Sequence, residues 1–445
     1  MGDEHKKKAD LLLTNGSLLT LSESFEPCSS GAVAIAGGKI IALGENTEVM
    51  KNYEAEKTID AGGCLIMPGL VNAHTHAAMT CYRGMADDLP LMEWLNRYIF
   101  PAEAQSDGEQ VYLGTLLACA EMIRSGTTTF CDMYLFEDWV AQAAKEAGMR
   151  AVVGEVLYDF PSPNYGPTEK GLEFTEALIS RWKDDPLISI AVEPHALYTC
   201  SPSLLRKCRD LADRYGVPMV IHLAETRSEL KEVSQKYGRS PVNHMESLEL
   251  LSSNLIACHC VWLEEAEMDL LARRGVKVVH NPESNMKLAS GVAPVPELLA
   301  KGVTVGLGTD GCVSNNNMDL FQEMDSAAKL HKVHRLDPTV MPSSVVLEMA
   351  TLGSAKVLGM EKEIGSLEVG KKADIIILSL QSPHLQPVYN IVSHLVYSAT
   401  GADVRDVIID GQLVMQNRQL LTLDQKTILG KIQKIKENIL QRISH

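Results

Sequence analysis

The sequence predicts an α/β fold: a (β/α)8 barrel of the TIM type, with a small β-sandwich domain built from both chain ends. Three observations support this prediction. Eight apolar segments of strand length alternate with amphipathic helices, polar residues follow most of these segments, and short strands separated by turns occur at both ends. Apolar strands between helices indicate parallel strands buried on both faces. An open doubly wound sheet would alternate in the same way, but barrels collect functional residues where their strands end.

The small domain is expected to combine residues 1–67 with residues 366–445, and the barrel to occupy residues 68–365. Both ends contain strand-like pieces separated by pairs of turn residues, of which Asp410-Gly411 is the strongest hairpin signal. Two separated β-rich ends can complete one domain by pairing with each other. Residues 424–442 predict a terminal helix, because isoleucines recur along one side of it: Ile428, Ile432, Ile435 and Ile439.

Helix boundaries within the barrel follow from capping residues. Ser106 and Glu109 have the spacing of a capping box, in which each side chain binds a free backbone N–H of the first turn. Ser201 precedes Pro202, a pair typical of a helix start, and Gly216 marks the end of that helix. The sequence therefore predicts one helix capped by Ser106 and another capped by Ser201.

The eight predicted barrel strands cover residues 64–71, 127–130, 151–156, 188–192, 217–221, 255–258, 276–279 and 304–307. Polar residues follow most of them, close to the end of each strand: His74, Asp132, Glu193, His195, His222, His259, His280 and Asp310. Because the carboxyl ends of parallel strands meet at one face of a barrel, these side chains are expected to face a common site.

Composition argues against several classes of partner. Of the 445 residues, 45% are hydrophobic and 22% are charged, which is enough apolar material for a large folded core. The net charge of −16 argues against binding DNA, RNA or anionic membranes. No apolar run of ~18 residues predicts a transmembrane helix. The ten cysteines form no C-x-x-C pair, which is typical of a reduced, cytoplasmic protein.

A metal site is the strongest chemical prediction. His74 and His76 are two residues apart, so in extended backbone their imidazoles point the same way. His222 and Asp310 follow the fifth and eighth strands. Buried imidazoles and carboxylates are costly unless they are paired or bound to a cation. Three histidines and one carboxylate suit Zn²⁺ and leave a position for water.

Glu225 has two interpretations from the residues alone. It lies three residues after His222, where a carboxylate can act as a general acid or base beside a metal. It could equally be a helix N-terminal glutamate that interacts favourably with the helix dipole. No lysine follows the fourth strand, so a lysine-bridged pair of metals is not expected.

Other residues are given structural interpretations. His331 and His334 lie in a helical stretch beside lysines, which favours an exposed helix face over a metal pair. Trp94 and Trp262 follow motif residues and can be either cavity wall or core.

Several segments together resemble the amidohydrolase superfamily: Met67–His76, His222–Glu225, His280–Pro282 and Gly308–Asp310. Others resemble the 5-methylthioadenosine/S-adenosylhomocysteine deaminases within it: Arg83–Trp94, Glu193–His195, Ala257–Val261 and Asp310–Asn316. The resemblance covers nearly the whole chain. One departure is that residues 159–170 contain no arginine, where family members often have one that binds substrate.

The resemblance implies one divalent metal ion per subunit, Zn²⁺ above all, and a homo-oligomer, a dimer or tetramer. It implies metal ligands at His74, His76, His222 and Asp310. Glu225, His259 and Asp310 would be catalytic, with Glu225 also touching the substrate ring. The implied substrate contacts are Glu93 with the ribose hydroxyls, His195 with the purine, Ser314 with the ring, and Trp94 as a wall.

The implied reaction is hydrolytic deamination of adenine nucleosides, namely 5′-methylthioadenosine, S-adenosylhomocysteine and also adenosine, to the inosine analogues with release of ammonia. The alternative is a related enzyme that deaminates or dechlorinates an aza-ring such as a triazine or guanine. Glu93 favours the nucleosides, because a carboxylate suits a ribose diol. A metal-free scaffold is the third hypothesis, but such relatives typically lose their metal ligands.

Overall fold

The computed structural model describes residues 6–22, 25–85, 87–89, 93 and 95–443. Its centre contains eight consecutive strand positions, as expected, but the predicted first strand, 64–71, is divided at Gly69, because Cys64–Pro68 pairs with strands of the small domain. In chain order they are Leu70–His76, Thr127–Tyr134, Arg150–Leu157, Ile188–Ile190 with Glu193–Pro194, Met219–Leu223, Leu255–His259, Lys277–His280, and Val305–Leu307 with Asp310–Gly311.

These strands pair in parallel around a circuit. The first four positions form one sheet and positions five to eight form another. Isolated parallel bridges from Val192 to Met219 and from Ala196 to His222 connect the fourth position to the fifth. Asp310 and Gly311 pair with Thr75 and His76, which connects the eighth position to the first. The connections are those of a (β/α)8 barrel, and the polar strand ends lie at the same face of it.

Two helix starts show how local capping decides the boundaries. Ser201 caps the helix Pro202–Tyr215, and Gly216, at φ +65°, ends it, both as predicted. The prediction of Ser106 as a cap was wrong, because the helix Gly108–Arg124 is capped by Asp107. The Asp107 backbone is extended, and its carboxylate accepts a hydrogen bond from the Gln110 N–H. A carboxylate also interacts favourably with the positive end of the helix dipole.

The remaining helices lie around the barrel and in the connections. The α-helices are Asn46–Asn52, Phe100–Glu103, Glu137–Ala147, Glu169–Trp182, Arg227–Tyr237, Pro241–Ser247, Glu265–Arg274, Pro282–Lys287, Val295–Ala300, Leu320–Arg335, Ser343–Glu348, Ser354–Leu358, Ile391–Tyr397 and Gln425–Ile443. Shorter 3-10 and π turns are Ala77–Tyr82, Leu95–Ile99, Met349–Gly353, Pro383–Leu385 and Gly401–Asp403. None of the helices in the described ranges is both long and apolar enough to span a membrane.

The two chain ends pair with each other, as predicted. Their strands are Lys7–Leu18, Cys28–Ala36, Lys39–Glu45, Tyr53–Asp60, Cys64–Pro68, Ile375–Ser379, Val404–Ile409, Gln412–Gln416 and Gln419–Leu420. All nine are hydrogen-bonded into one sheet, which branches at Lys7–Leu18 because that strand pairs with three others. Residues from both ends share one buried cluster, including Leu13, Ile66, Ile375 and Ile408. The limits at 67/68 and 365/366 remain our proposed domain boundaries.

Two predicted helix faces have different outcomes. The terminal helix is present, as predicted, at Gln425–Ile443. Ile428 and Ile439 are buried and Ile432 is partly buried, and this apolar side packs against the barrel helix Gly108–Arg124. The prediction that His331 is exposed was wrong, because its side chain is buried with 1% exposure. Its Nε2 lies 3.2 Å from the Nε2 of His280, a residue from a distant part of the sequence.

A buried ion pair joins the barrel to the small domain at the face opposite the polar strand ends. The Arg150 guanidinium donates to both carboxylate oxygens of Asp374, at 2.8 and 3.1 Å, and both side chains are almost fully buried. Arg150 begins the third barrel strand, and Asp374 precedes a strand of the small domain. A buried bidentate pair of this kind fixes the relative position of the two elements.

Replacing Arg150 by methionine is expected to lower the free energy of unfolding by about 3–5 kcal/mol, because the Asp374 carboxylate would remain buried without its cation. Urea denaturation of the purified protein measures this loss. Arg181→Met is the matched control, since it removes an exposed pair with Asp138 and should cost much less. Equal losses in the two variants would contradict a special role for the buried pair.

Candidate metal centre and active site

Four side chains converge at the carboxyl ends of the barrel strands. The ligand atoms of His74, His222, His259 and Asp310 all lie within 4.8 Å of one another, and all four residues are buried. His76 is adjacent, with its Nε2 3.0 Å from Asp310 Oδ1 and its ring centroid 4.8 Å from that of His74. The structure therefore brings together the predicted ligand set and the predicted catalytic histidine.

The backbone is strained where these side chains enter the site. His259 and Asp310 have positive φ angles of 73° and 61°, and Ala224, just before Glu225, has 52°. Non-glycine residues in this region cost on the order of 1–3 kcal/mol each. Such conformations persist where the surrounding structure holds them, and they concentrate at functional sites.

Oxygen acceptors set the orientation of three of the imidazoles. The Nδ1 atoms of His76 and His222 lie 2.5 Å from Met133 O and 2.8 Å from His195 O. The Nδ1 of His259 lies 2.9 Å from Asn285 Oδ1. Since these oxygens can only accept, each Nδ1 donates its proton and each Nε2 points away from that acceptor. The Nε2 of His76 faces Asp310 Oδ1 at 3.0 Å, and although burial lowers the pKa of His76, the Asp310 carboxylate raises it to about 9. This arrangement is typical of histidines that bind a metal through Nε2.

His74 provides the test of whether a metal fits. Both of its ring nitrogens are buried and lack a hydrogen-bond partner among the residues that the structure describes. Burial and the neighbouring His76 hold the pKa of His74 well below its usual range, so the ring is neutral. Burial likewise lowers the pKa of His222. Neutral imidazoles around a carboxylate form a donor set that suits a divalent ion.

Asp310 is held from its other side by two hydroxyl groups. Its Oδ2 accepts hydrogen bonds from Ser284 Oγ at 2.6 Å and from Ser314 Oγ at 2.9 Å. Burial alone would raise the pKa of Asp310, but the hydrogen bond and charge of His76 outweigh it and hold the pKa well below its usual range. Asp310 is therefore an ionised carboxylate with one oxygen directed at the histidines.

Glu225 faces the same cavity. Its carboxylate accepts a hydrogen bond from Ser290 Oγ at 3.3 Å, and burial raises its pKa. The adjacent helix begins at Arg227 and is capped by Thr226. It is Glu229, inside the first turn, that accepts hydrogen bonds from the backbone N–H groups of Ala224 and Glu225. The residue that interacts with the N-terminal end of this helix is therefore Glu229, and not Glu225.

One cavity is lined by most of these residues together with apolar side chains. Its polar lining includes His76, His222 and His259 with Glu225, Asp310 and Ser314. His195 also lines it, with Nδ1 2.9 Å from Thr199 Oγ1, and burial lowers its pKa to about 3. The cavity is also lined by Glu103 and by apolar and aromatic residues: Leu95, Ile99, Phe100, Leu135, Val156 and Tyr158.

One predicted substrate contact, Glu93, is not brought to the cavity wall. Glu93 is exposed, does not line the cavity, and pairs with Arg97 at 3.4 Å. Trp94 lies outside the described residues. Trp262 does not line the cavity either, since its Nε1 donates to Ser290 O and Arg227 stacks 4.2 Å above its ring. His280, which the strand pattern grouped with the ligands, instead contacts His331.

The comparisons with known proteins agree with this geometry. The model of the amidohydrolase family matches residues 65–414. The chain belongs to the amidohydrolase family. It is 61% identical to a 5-methylthioadenosine/S-adenosylhomocysteine deaminase of Syntrophobacter fumaroxidans, over 97% of this chain and 99% of that protein. It is 45% identical to a 5′-deoxyadenosine deaminase of Methanosarcina acetivorans, over 98% of this chain and 99% of that one.

A solved structure is similar to this chain over almost its whole length. An adenosine deaminase from Xanthomonas campestris, determined with bound zinc, superposes with a TM-score of 0.96 at 39% identity. The alignment covers 98% of this chain and 100% of that one. The family resemblance drawn from the sequence motifs is confirmed.

Sequence reasoning missed the residues that hold this amidohydrolase's site together. Ser284 and Asn285 lie four and five residues after His280, and they bind Asp310 and His259. Ser290 binds Glu225. Their position after the seventh strand was a usable signal, because residues that follow barrel strands face the site. Glu103 had no such signal, since its helix lies within the long connection after the first strand.

Proposed function

We propose that this chain is a metal-dependent hydrolytic deaminase of adenine nucleosides. Its substrates are 5′-methylthioadenosine, S-adenosylhomocysteine and adenosine, which it converts to the inosine analogues with release of ammonia. One observation carries the proposal: the buried Glu225 carboxyl faces the same cavity as the histidine–aspartate cluster. The 61% identity to a deaminase of this kind supports the same substrate class.

His74, His76, His222 and Asp310 would hold the ion. A divalent metal supplies a water of lowered pKa, from 15.7 to about 7 in the zinc case. The distances among ligand atoms also admit His259 as a ligand in place of His76. We assign His76 to the metal because it shares a strand with His74, so that both imidazoles point to one centre.

The remaining residues orient and move protons. The Asn285 amide oxygen fixes the imidazole of His259, which orients the attacking water, and Asp310 accepts the proton of that water. Burial raises the pKa of Glu225, which suits a general acid that donates a proton to the ring nitrogen beside the amino-bearing carbon. His195 would contact the purine, while Ser314 would contact the ring and also hold Asp310.

A deamination assay tests the proposal. Zinc-loaded protein is expected to release ammonia from 5′-methylthioadenosine, S-adenosylhomocysteine and adenosine, and not from guanine or an amino-triazine. Glu93→Ala should lower kcat/KM for the nucleosides by about 10–150-fold, because a hydrogen bond to a charged group contributes about 1.5–3 kcal/mol. Glu109→Ala, on the exposed side of the helix Gly108–Arg124, is the control. Turnover confined to the free rings and unaffected by Glu93→Ala would contradict the nucleoside assignment.

One observation favours the second candidate, a related amidohydrolase that deaminates or dechlorinates an aza-ring. Glu93, the residue assigned to the ribose, lies outside the cavity wall and pairs with Arg97. An aza-ring without a sugar needs no such carboxylate. The Glu93 variant separates the two functions, because only the nucleoside reaction should depend on it.

The chain's partner is a small molecule under either function. We propose a homo-oligomer, a dimer or tetramer, in the cytoplasm, and light scattering of the purified protein would measure the assembly. A monomer at micromolar concentration would contradict the oligomer.

A further inference from the structure

Asp132 lies near the end of the second barrel strand, Thr127–Tyr134. The strand pattern grouped it with the residues expected to face the common site, but its side chain neither lines the cavity nor belongs to the histidine–aspartate cluster. It is fully buried and contacts the neighbouring strand, Leu70–His76, which carries two of the proposed metal ligands. A buried carboxylate that does not reach the cavity needs another explanation.

The first strand leaves regular pairing with the second where its histidines begin. The pair before the irregularity is Asn72 with Phe130, and the pair after it is Thr75 with Asp132. Three steps along the first strand, from 72 to 75, therefore correspond to two along the second, from 130 to 132. One extra residue of this kind is a β-bulge, which bends the strand and changes the direction of its side chains. The directions of both histidine side chains therefore depend on what holds the strand at this point.

The Asp132 carboxylate holds the chain on both sides of His76. Its Oδ1 accepts hydrogen bonds from the Thr75 hydroxyl at 2.5 Å and from the Ala77 backbone N–H at 2.5 Å. Ala77 begins the turn Ala77–Tyr82, and the first N–H groups of such a turn have no partner within it. A buried N–H without a partner is costly. Asp132 therefore supplies an acceptor that the irregular strand pairing does not provide.

The residues before and after Asp132 contact the same segment through their backbone. Cys131 O accepts from the Thr75 hydroxyl at 2.9 Å, and Met133 O lies 2.5 Å from His76 Nδ1. Three consecutive residues of the second strand thus contact the segment that carries the ligands. Of these three, Asp132 uses its side chain, so its contacts are the ones that a substitution can remove.

We propose that Asp132 is a positioning residue for the metal centre: its carboxylate fixes the segment 75–77, so that the imidazoles of His74 and His76 point to one ion. The inference rests on the metal-binding part of the proposed function, and it adds a residue that neither binds the ion nor touches the substrate. Part of the contact is made through the Thr75 hydroxyl, which lies between the two histidines in the chain. Groups behind metal ligands set the orientation of those ligands.

The test measures the Kd for Zn²⁺ of the full chain after removal of metal, by competition with a chromophoric chelator. Asp132→Ala should raise this Kd by about 10–100-fold, the range typical for groups behind a ligand. Thr75→Val keeps the side-chain shape and should raise it by about 2–10-fold, the equivalent of one hydrogen bond.

Asp132→Asn is the conservative variant and should restore most of the affinity. Its amide oxygen can accept the same two hydrogen bonds from Thr75 and Ala77. The buried carboxyl of Glu137 is a neighbour of Asp132, and burial together with the Asp132 charge holds the pKa of Glu137 well above its usual range. This neutral carboxyl can accept a hydrogen bond from the new amide group.

Cobalt gives a readout that does not depend on activity. Co²⁺ bound in place of Zn²⁺ absorbs visible light, and its spectrum depends on the geometry of the ligands. At saturating Co²⁺, Asp132→Ala should have a spectrum different from that of the natural protein, and Asp132→Asn should return the spectrum to the natural form.

Two matched controls separate positioning from a general loss of stability. Glu267→Gln changes another buried carboxylate, which accepts from the Glu264 backbone N–H at the start of the helix Glu265–Arg274. Thr129→Val removes the hydroxyl of a buried threonine in the second strand, and that hydroxyl has no hydrogen-bond partner among the described residues. Both variants should keep the natural Kd for Zn²⁺ and the natural cobalt spectrum.

Unchanged zinc affinity and an unchanged cobalt spectrum in folded Asp132→Ala would overturn the positioning role and leave the deaminase function intact. Equal losses of affinity in Asp132→Ala and Glu267→Gln would also overturn it, because they would indicate an effect of stability alone. If Asp132→Ala does not fold, a higher Kd in Thr75→Val than in Thr129→Val supports the role, and equal values overturn it. Deamination that is absent from protein with bound zinc would overturn the proposed function but not this assignment.

Discussion

Replacing Glu225 by glutamine is expected to lower kcat/KM for 5′-methylthioadenosine by about 10²–10⁴-fold, the range for loss of a positioned general acid. The reason is that the amide has the shape of the carboxyl group but cannot exchange a proton with the ring nitrogen. Ser290 can still donate to the amide oxygen, so the cavity should keep its form. The loss should appear mainly in kcat, because the other side chains that line the cavity are unchanged and still bind the ring.

Steady-state kinetics with a metal analysis of each preparation measures this effect. Glu229→Gln is the matched control, since Glu229 is also buried and belongs to the same turn, but its carboxylate holds backbone N–H groups and does not line the cavity. It should reduce activity far less. A Glu225 variant with nearly full activity, or one that loses its metal, would argue against the general-acid role.

The second large effect separates the metal ligands from the catalytic histidine. His76→Asn is expected to lose most of its metal on dialysis against a chelator. Its metal affinity should fall by more than about 10–100-fold, the decrease that is typical when a residue hydrogen-bonded to a ligand is removed. His259→Asn should keep about one metal ion per chain and still lose most of its turnover, because only the orientation of water is affected. Metal content by elemental analysis and kcat are measured on the same samples.

The opposite pattern of metal contents would identify a different set of metal ligands. If His259→Asn loses the metal and His76→Asn retains it, the ligand set is the compact group of His74, His222, His259 and Asp310. His280→Asn is the control for changing a buried histidine at this face, because His280 contacts His331 and is not part of that group. It should retain the metal.

Much of the fold could be predicted because the signals are local. Short apolar segments such as 127–130 and 255–258 predict strands from a few residues each. Ser201 and Gly216 predict the two ends of a helix without information from the rest of the chain. The placement of His74, His222 and Asp310 near the ends of strands was also predicted from the few residues around each of them. Barrel geometry then places strand ends at one face, so the neighbourhood of these residues followed from their order alone.

Local signals failed where two neighbouring residues could both cap a helix, or where the buried side of a helix had to be chosen. Ser106 and Asp107 are both good caps, and the backbone of Asp107 is the one that is extended at the helix start. His331 lies among charged residues, which indicated exposure, yet the helix turns this side toward His280. Burial of a helix face depends on what packs against it.

The sequence by itself determined the fold class, the pairing of the two chain ends, and the residue types gathered at the strand ends, because periodicity and strand order carry that information. Only the tertiary structure decided that Ser284, Ser314 and Asn285 orient the residues of the cluster, that Glu229 supports the turn of Glu225, and that Glu103 and Tyr158 line the same cavity. These contacts join residues distant in the chain, and their distances are set by how the connections after the strands pack together.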